Sequence, residues 1–339
     1  MSVTAADSPS RSEPQSAWPA RIVRADAAPH YRADYNRLPF QFAHHLADHP
    51  LFDVPQIVKL ACFLDHGVGG RVTLFSDDAA LTQGWQRSRR PGANVRECLA
   101  DIETSHSWVL MKDIQTHPEY RDLVDRFVSE LEQMLGRPVR PSITWIDAYL
   151  FVSSPGMVTP YHIDHESNFL FQIAGDKTVN LFDPSDRGIL SDDEIERYYV
   201  GDFSSARFRE PAQQKAMVFE LSPGLAVHQP PLAPHWVRTG SQRHSVSLSI
   251  LFFLREYDAV AKVYQVNHYL RRLGLRPARP GRSTLRDRVK RLVMSDLGYR
   301  PRLKTEVVRS GLTKYTAPVS FARKLAVQAI SGTKPAPAR

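Results

Sequence analysis

Cysteine is scarce in this chain, with 2 among 339 residues. Cys62 and Cys98 both fall inside apolar helical patterns, which suits buried thiols in a reducing compartment and excludes a disulfide framework. Long apolar runs are missing as well. No stretch approaches the roughly 18 consecutive apolar residues of a membrane-spanning helix. Met1 to Trp18 is polar, rich in Ser, Ala and Pro, and lacks the apolar segment of a secretion signal. The expected compartment is the cytoplasm. Acidic residues are nearly absent from one end: Val260 to Arg339 carry 19 Lys and Arg against 3 acidic residues, or +16, so the formal +8 of the whole leaves 25 basic and 33 acidic, or −8, for the rest. The basic character belongs to the tail. What is present, 42% hydrophobic residues in a chain of this length, supports a sizeable globular core.

Residues 1–17 have a disorder-like composition and are assigned no structure. An N-terminal region of helices and strands, 18–141, is expected to pack on the core, with its first organised pattern near Leu38. Asp53-Val-Pro-Gln announces a helix to about Leu64, Arg71–Phe75 a strand, Asn94-Val-Arg-Glu97 a capping box for a helix to about Glu103, and Ser107–Met111 a second strand. From Pro118 to Leu135, Tyr120, Leu123, Val124, Phe127, Val128, Leu131 and Leu135 recur at helical spacing, and Gly136 stops the helix. The pattern then changes. From 142 to 256 short β-like runs alternate with Gly, Pro and Asp turns, the mark of a double-sheet jelly roll. Ser191-Asp-Asp-Glu194 caps one inserted helix to about Tyr199. Gly175-Asp176 reads as a two-residue hairpin turn between Asn168–Ile173 and Lys177–Phe182. On the first of these runs Asn168, Leu170 and Gln172 share one face, and Phe169, Phe171 and Ile173 the other. The expected fold is mainly β with flanking helices: a double-stranded β-helix (jelly-roll, cupin-like) core, N-terminal α/β elements and C-terminal helices.

The chemistry concentrates in Thr159–Phe182. If this stretch is a strand, His162 and Asp164 lie two residues apart and project from one face. An imidazole and a carboxylate make two-thirds of a facial metal triad. His235, in Pro230-Pro-Leu-Ala-Pro-His-Trp-Val237, is the proposed third ligand, and such a 2-His-1-carboxylate triad leaves open positions for substrate and oxygen chemistry. His-x-Asp alone is weak among 13 histidines. Its weight comes from the combination with inward Asn168 and Gln172, Lys177 opening the next strand, and Pro-His-Trp-Val downstream. His228 is the chief rival to His235. His165 should face away, and Trp236 reads as core.

These residues resemble the Jumonji-C-type, cupin-like Fe(II)/2-oxoglutarate oxygenases, and within them the hydroxylase branch that contains the asparaginyl hydroxylase of hypoxia-inducible factor. The block from about Tyr149 to Leu254 carries the likeness, in its Thr-Pro-x-His-x-Asp, Asn-Phe and Gln-Ile-x-Gly-x-Lys spacing. The resemblance implies that His162, Asp164 and His235 bind Fe(II), that Lys177 pairs with the distal carboxylate of 2-oxoglutarate, and that Thr159 and Asn168 hydrogen-bond the co-substrate. Physical chemistry agrees for the lysine: an inward ammonium is costly to bury unless an anion meets it. The family's upstream tyrosine has two candidates here, Tyr149 and Tyr161. Oxygenases that use an arginine after the second histidine direct attention to Arg238 and Arg243. His228 takes a position commonly aromatic and nearer the substrate. The implied reaction uses O2 and hydroxylates a protein or peptide side chain in preference to a small molecule. Two other classes stand beside it: a non-catalytic cupin-like regulator whose basic tail binds nucleic acid, and a metal-cupin enzyme that does not use 2-oxoglutarate.

In the tail, Asp258–Arg272 reads as a helix ended by Gly274, and Ser283–Leu297 as an amphipathic helix with Leu285, Val289, Leu292 and Val293 on one side. These basic helices fill 257–310, and 311–339 is a basic tail with one short amphipathic run, Phe321–Ile330. A solvated basic face packed on the core, contact with an anionic partner such as nucleic acid or a membrane surface, and a homodimer through the C-terminal helices, which the family resemblance implies, are the three readings.

Overall fold

The computed structural model describes residues 18–24, 28–47, 49–65, 71–76 and 94–296. The segment 1–17 and the run Phe321–Ile330 lie outside them. Two antiparallel sheets face each other. The larger has seven strands and the smaller four. In chain order the strands are β1 (Phe40–Ala43), β2 (Val72–Ser76), β3 (Ser107–Met111), β4 (Ile143–Ser153), β5 (Val158–His162), β6 (Ser167–Ala174), β7 (Lys177–Leu181), β8 (Met217–Leu221), β9 (Leu225–Gln229), β10 (His235–Thr239) and β11 (Ser245–Leu254). The large sheet runs β1-β9-β6-β11-β4-β3-β2 and the small one β5-β10-β7-β8. This is the expected jelly roll, with the N-terminal strands β1, β2 and β3 extending its larger sheet.

Alternation along β6 divides the interior. Phe169, Phe171 and Ile173 point to the outer face of the large sheet and join its main core. Leu170 points the other way and packs with Val179, Leu181, Leu221, Val227 and Val237 between the sheets. The outer face is covered by helices α1 (Ala28–Asp34), α2 (Val54–Asp65), α3 (Val95–Ala100) and α4 (Pro118–Leu135). α4 buries the expected stripe from Tyr120 to Leu131, leaves its last member Leu135 half-buried, and ends on Gly136 at φ 67°. The Phe127 ring meets Phe169 at 4.9 Å and Phe171 at 5.2 Å between centroids, within the range where edge-to-face pairs add to plain burial. α5 (Asp192–Tyr199) lies in the connection between β7 and β8. Its capping box has both hydrogen bonds, Ser191 side chain to Glu194 N–H and Glu194 carboxylate to Ser191 N–H. α6 (Arg255–Arg272) and α7 (Thr284–Asp296) follow the last strand.

Three expectations need correction. Ordered packing starts well before Leu38: Ile22 and Val23 are buried, and their N–H groups donate to the two oxygens of Glu130 at 2.8 and 2.9 Å. α1 was not foreseen because its 7 residues are too few for a periodic pattern, although Tyr31 is fully buried between Phe40 and Phe42. α3 stops at Ala100 instead of about Glu103, and Asn94 caps it by accepting from the Arg96 and Glu97 N–H groups.

The third correction is the turn at Gly175. β6 and β7 do not pair. Both edges of β6 are occupied, by β11 and β9, so the chain turns a corner and β7 enters the other sheet between β10 and β8. Gln172 braces this corner by donating to the Ala174 and Gly175 carbonyls at 2.7 and 2.9 Å. Gly175 takes φ 66°, and a Cβ there would collide with the His244 carbonyl oxygen. Gly156 also has positive φ, but a Cβ would meet nothing within 4 Å. Urea denaturation should therefore separate the two: Gly156→Ala is expected to cost about 1 kcal/mol from the left-handed backbone alone, and Gly175→Ala at least about 3 kcal/mol, because backbone must also move.

Candidate metal centre

β10 runs antiparallel between β5 and β7, and its first residue, His235, lies opposite His162 on β5 and Leu181 on β7. Directly opposed residues project from one face. The two imidazoles accordingly meet, with ring centroids 4.1 Å apart. Asp164 stands two residues past the last residue of β5, so no strand alternation aims it, contrary to expectation. Its backbone holds it instead: the Asp164 carbonyl accepts the Leu232 N–H at 2.6 Å, from the loop that delivers His235. Leu232 adopts φ 65°, a costly conformation for a branched side chain. The result places Asp164 Oδ2 at 3.6 Å from His162 Nε2 and 4.0 Å from His235 Nε2. All three candidate ligand atoms lie within 4.8 Å of one another, and among the described residues this is the one such cluster of His, Cys, Asp or Glu.

The donor set fits a divalent transition metal. His162 Nδ1 lies 2.7 Å from the Pro160 carbonyl and His235 Nδ1 3.0 Å from the Ala233 carbonyl. A carbonyl only accepts, so each Nδ1 carries a proton and each Nε2 is the ring nitrogen left to face Asp164, the outer-shell arrangement that orients metal-binding imidazoles. Burial, and next the neighbouring His162 ring, push His235 down to about 4, which keeps this ligand neutral. Two imidazoles and one carboxylate suit Fe(II) and leave open positions. The Asp164 side chain is 40% exposed against 6% for His235, so the cluster opens to solvent on its carboxylate side.

A β-bulge sets the next position. His235 pairs with His162, but Val237 pairs with Thr159, three residues back instead of two. The extra residue brings Thr159, and not Pro160, onto the inward face shared with Val237. Tyr161, adjacent to the inward His162, faces outward by alternation alone and packs on Phe182 and Phe208. Of the two tyrosine candidates, Tyr149 is therefore the inward one: it lies opposite Ser249 on β11, which in turn opposes Leu170 of the intersheet core.

Lys177 begins β7 opposite Thr239, four residues from the position facing His235, which is roughly 13 Å along the strand. It is buried. Its Nζ donates to Ser247 Oγ at 2.7 Å and sits 5.6 Å from the centre of the Phe151 ring. Ser247 Oγ donates to Gln172 Oε1 at 2.8 Å, and Gln172 Nε2 to Ser245 Oγ at 2.8 Å. Among the described residues no carboxylate reaches the ammonium, and burial alone brings Lys177 down to about 7. Asn168 shares this inward face. Its Nδ2 donates to Gln229 Oε1 at 2.8 Å, while its Oδ1 is buried without a partner. The inward faces of the two sheets thus carry the His162–Asp164–His235 cluster toward one end and a buried lysine without a carboxylate partner among the described residues toward the other. Ser245, Ser247 and Ser249 were missed in the sequence. Their signal was there, three hydroxyls alternating with aliphatic residues on an otherwise apolar buried strand.

Other candidates fall away from the pocket. Arg238 is exposed on the opposite face of β10, 5.9 Å from the Trp236 ring, and Arg243 is exposed beyond the strand. Trp236 is held by Gln213, to which its Nε1 donates at 3.0 Å. His165 turns aside to the Tyr198 hydroxyl at 2.9 Å. His228 corrects the expectation of a substrate-side residue. It faces the outer core, stacked on Phe169 at 4.5 Å, with Nδ1 3.0 Å from the Asn168 carbonyl and Nε2 accepting the Asn36 N–H at 3.0 Å.

Residues 81–258 match the cupin-like domain family, whose double-sheet barrel is the fold described above. The chain belongs to the cupin-like domain family. No curated protein sequence matches it. Among solved structures this cupin-like protein is similar to the Escherichia coli ribosomal oxygenase YcfD, at 17% identity and a TM-score of 0.45 over 83% of this chain and 69% of that one. It is similar to the same oxygenase in complex with cobalt and 2-oxoglutarate at 17% identity and a TM-score of 0.46, with the same coverage. An oxalate decarboxylase is similar over 32% of this chain and 22% of its own, at 16% identity and a TM-score of 0.23.

His228 also yields a pH signature for this cupin-like protein. Burial pushes it down to about 3, and His44, buried and bonded to the Leu46 N–H, to about 4. Below the unfolded value of about 6.5 the unfolded chain binds protons that the folded chain refuses, so stability is full above that pH and drains as pH falls. Urea midpoints should decline from pH 6.5 to 4.5, and His228→Gln should flatten the decline by up to about 1.4 kcal/mol per pH unit. An unchanged slope would contradict the assignment.

Proposed function

We propose that this protein is an Fe(II)- and 2-oxoglutarate-dependent oxygenase, with His162, Asp164 and His235 holding the metal and Lys177 the distal carboxylate of the co-substrate. One observation carries the reading: a facial cluster of two imidazoles and a carboxylate lies between the same two sheets as a buried ammonium that no protein carboxylate reaches among the described residues. Bound there, Fe(II), 2-oxoglutarate and O2 supply oxidative decarboxylation to succinate and CO2, coupled to hydroxylation of a C–H bond.

The chain's own residues bind and orient. His162 and His235 present fixed Nε2 lone pairs because their Nδ1 protons are committed to carbonyls. Lys177, directed by Ser247, would grip the far end of the 2-oxo acid and so fix its near end at the metal ligands. Thr159, Asn168 through its unpaired Oδ1, and Tyr149 line the path between. The aliphatic intersheet core beside them excludes water, which strengthens the ammonium–carboxylate pair. The substrate class we assign, a protein or peptide side chain in preference to a small molecule, rests on the resemblance of the motif block.

Calorimetry with Mn(II) in place of Fe(II) separates the parts. His162→Ala should abolish metal binding and succinate formation. Lys177→Ala should leave metal affinity within about twofold and weaken 2-oxoglutarate by about 100-fold, the cost of removing one partner of a buried charge pair. Unchanged 2-oxoglutarate affinity in Lys177→Ala would favour a metal-cupin enzyme that does not use this co-substrate. Failure of the wild type to bind metal and 2-oxoglutarate would favour a non-catalytic barrel.

A pH dependence follows from Lys177. Its ammonium is half-deprotonated at about 7 in the free pocket, and a bound dianion raises that value. The complex therefore holds a proton that the free protein has lost above neutrality. Affinity for 2-oxoglutarate should be constant below pH 6.5 and then fall by up to about tenfold per pH unit above 7, an effect Lys177→Ala should remove.

A further inference from the structure

α7 packs with its apolar side out. Asp287 and Met294 are buried, and Lys290 and Arg291 are half-buried. Lys290 Nζ donates to Asn267 Oδ1 on α6 at 2.6 Å, and Asp287 Oδ2 accepts the Gly281 N–H at 2.7 Å. A polar face therefore makes the contact with the body of the protein. Leu285, Val289, Leu292 and Val293 stand 74, 53, 58 and 52% exposed. At about 100° per residue these four form one stripe roughly 100° wide, bordered by Arg286 on one side and Arg288 on the other, both exposed. The expectation of a basic face left to solvent thus fails for the aliphatic positions, which are in solvent too.

Three kinds of partner compete for such a helix, and the residues discriminate among them. A nucleic acid would engage the arginines and leave the aliphatic stripe in water. A second copy would bring the arginine borders of one α7 against those of the other. The stripe is also small, on the order of a few hundred Å², where specific protein interfaces bury roughly 800 Å² per partner. An anionic lipid surface satisfies both features at once, since aliphatic groups enter the headgroup–acyl boundary while guanidinium groups meet phosphates. The charge balance from Val260 onward, 19 basic residues against 3 acidic, has the sign such a surface attracts.

We propose that α7 is an interfacial helix that seats this protein on anionic membranes through Leu285, Val289, Leu292 and Val293, with Arg286 and Arg288 on the lipid phosphates. This inference is independent of the metal centre. The full-length protein is sedimented with vesicles of phosphatidylcholine alone and of phosphatidylcholine with phosphatidylglycerol in equal parts, at about 0.1 M salt. Wild type should bind the mixed vesicles at least tenfold more tightly than the neutral ones. Leu285→Gln with Leu292→Gln should reduce that binding at least tenfold, and Arg286→Gln with Arg288→Gln about tenfold. Both double variants change exposed positions, and an unchanged melting temperature verifies that they fold. The proposal is overturned if wild type ignores anionic vesicles, if the Leu variant binds them as wild type does, which would assign binding to basic charge alone, or if α7 changes abolish self-association or duplex DNA binding while vesicle binding is absent.

Discussion

The pairing of β10 between β5 and β7 is the constraint on which the rest of the pocket depends. It places His235 opposite His162, and through Thr239 opposite Lys177 it sets the distance from the His–Asp–His cluster to the buried lysine. Because side chains alternate with a period of two, a one-residue slip would turn both His235 and Val237 out of the pocket and expose Trp236 to the intersheet core. The bulge between His235 and Val237 is part of the same register. Without the extra residue on β5, Pro160 and not Thr159 would lie on the inward face.

The loop before β10 converts that register into a three-ligand cluster. Pro230 to Pro234 is tied at two points, Leu232 N–H to the Asp164 carbonyl and the Pro234 carbonyl to the Phe182 N–H. Asp164 therefore belongs, structurally, to the loop that leads to His235 as much as to the strand that precedes it. The strained φ of Leu232 is the local cost of this connection, and strain of this sort persists where surrounding contacts over-determine it.

The polar interior between the sheets follows a different logic. A buried lysine, three serines and two amides are unfavourable there unless they satisfy one another. Gln172 does much of this, linking the Gly175 corner to Ser245 and Ser247, and through Ser247 to Lys177. The network braces the chain where it changes sheets and leaves the ammonium without a counter-charge. One set of hydrogen bonds thus shapes the corner and orients the cation.

By itself the sequence determined what local chemistry encodes: the α4 stripe with its Gly136 stop, the Ser191 capping box, the alternation of Phe169 and Phe171 against Leu170, and the jelly-roll rhythm from 142 to 256. These depend on neighbours within about four residues. It also nominated His162, Asp164, His235 and Lys177 as residues, because their types and spacing are written in the chain. Tertiary structure decided the rest, since each remaining outcome depends on which strand edges were free. It made Gly175 a corner instead of a hairpin because β6 already had two neighbours. It brought Thr159 inward through a bulge, set Tyr149 on the inward face of β4, and sent His228, Arg238 and Arg243 to other faces. It buried the polar side of α7, where the position of α6 and not the helix's own periodicity chose the face left to solvent.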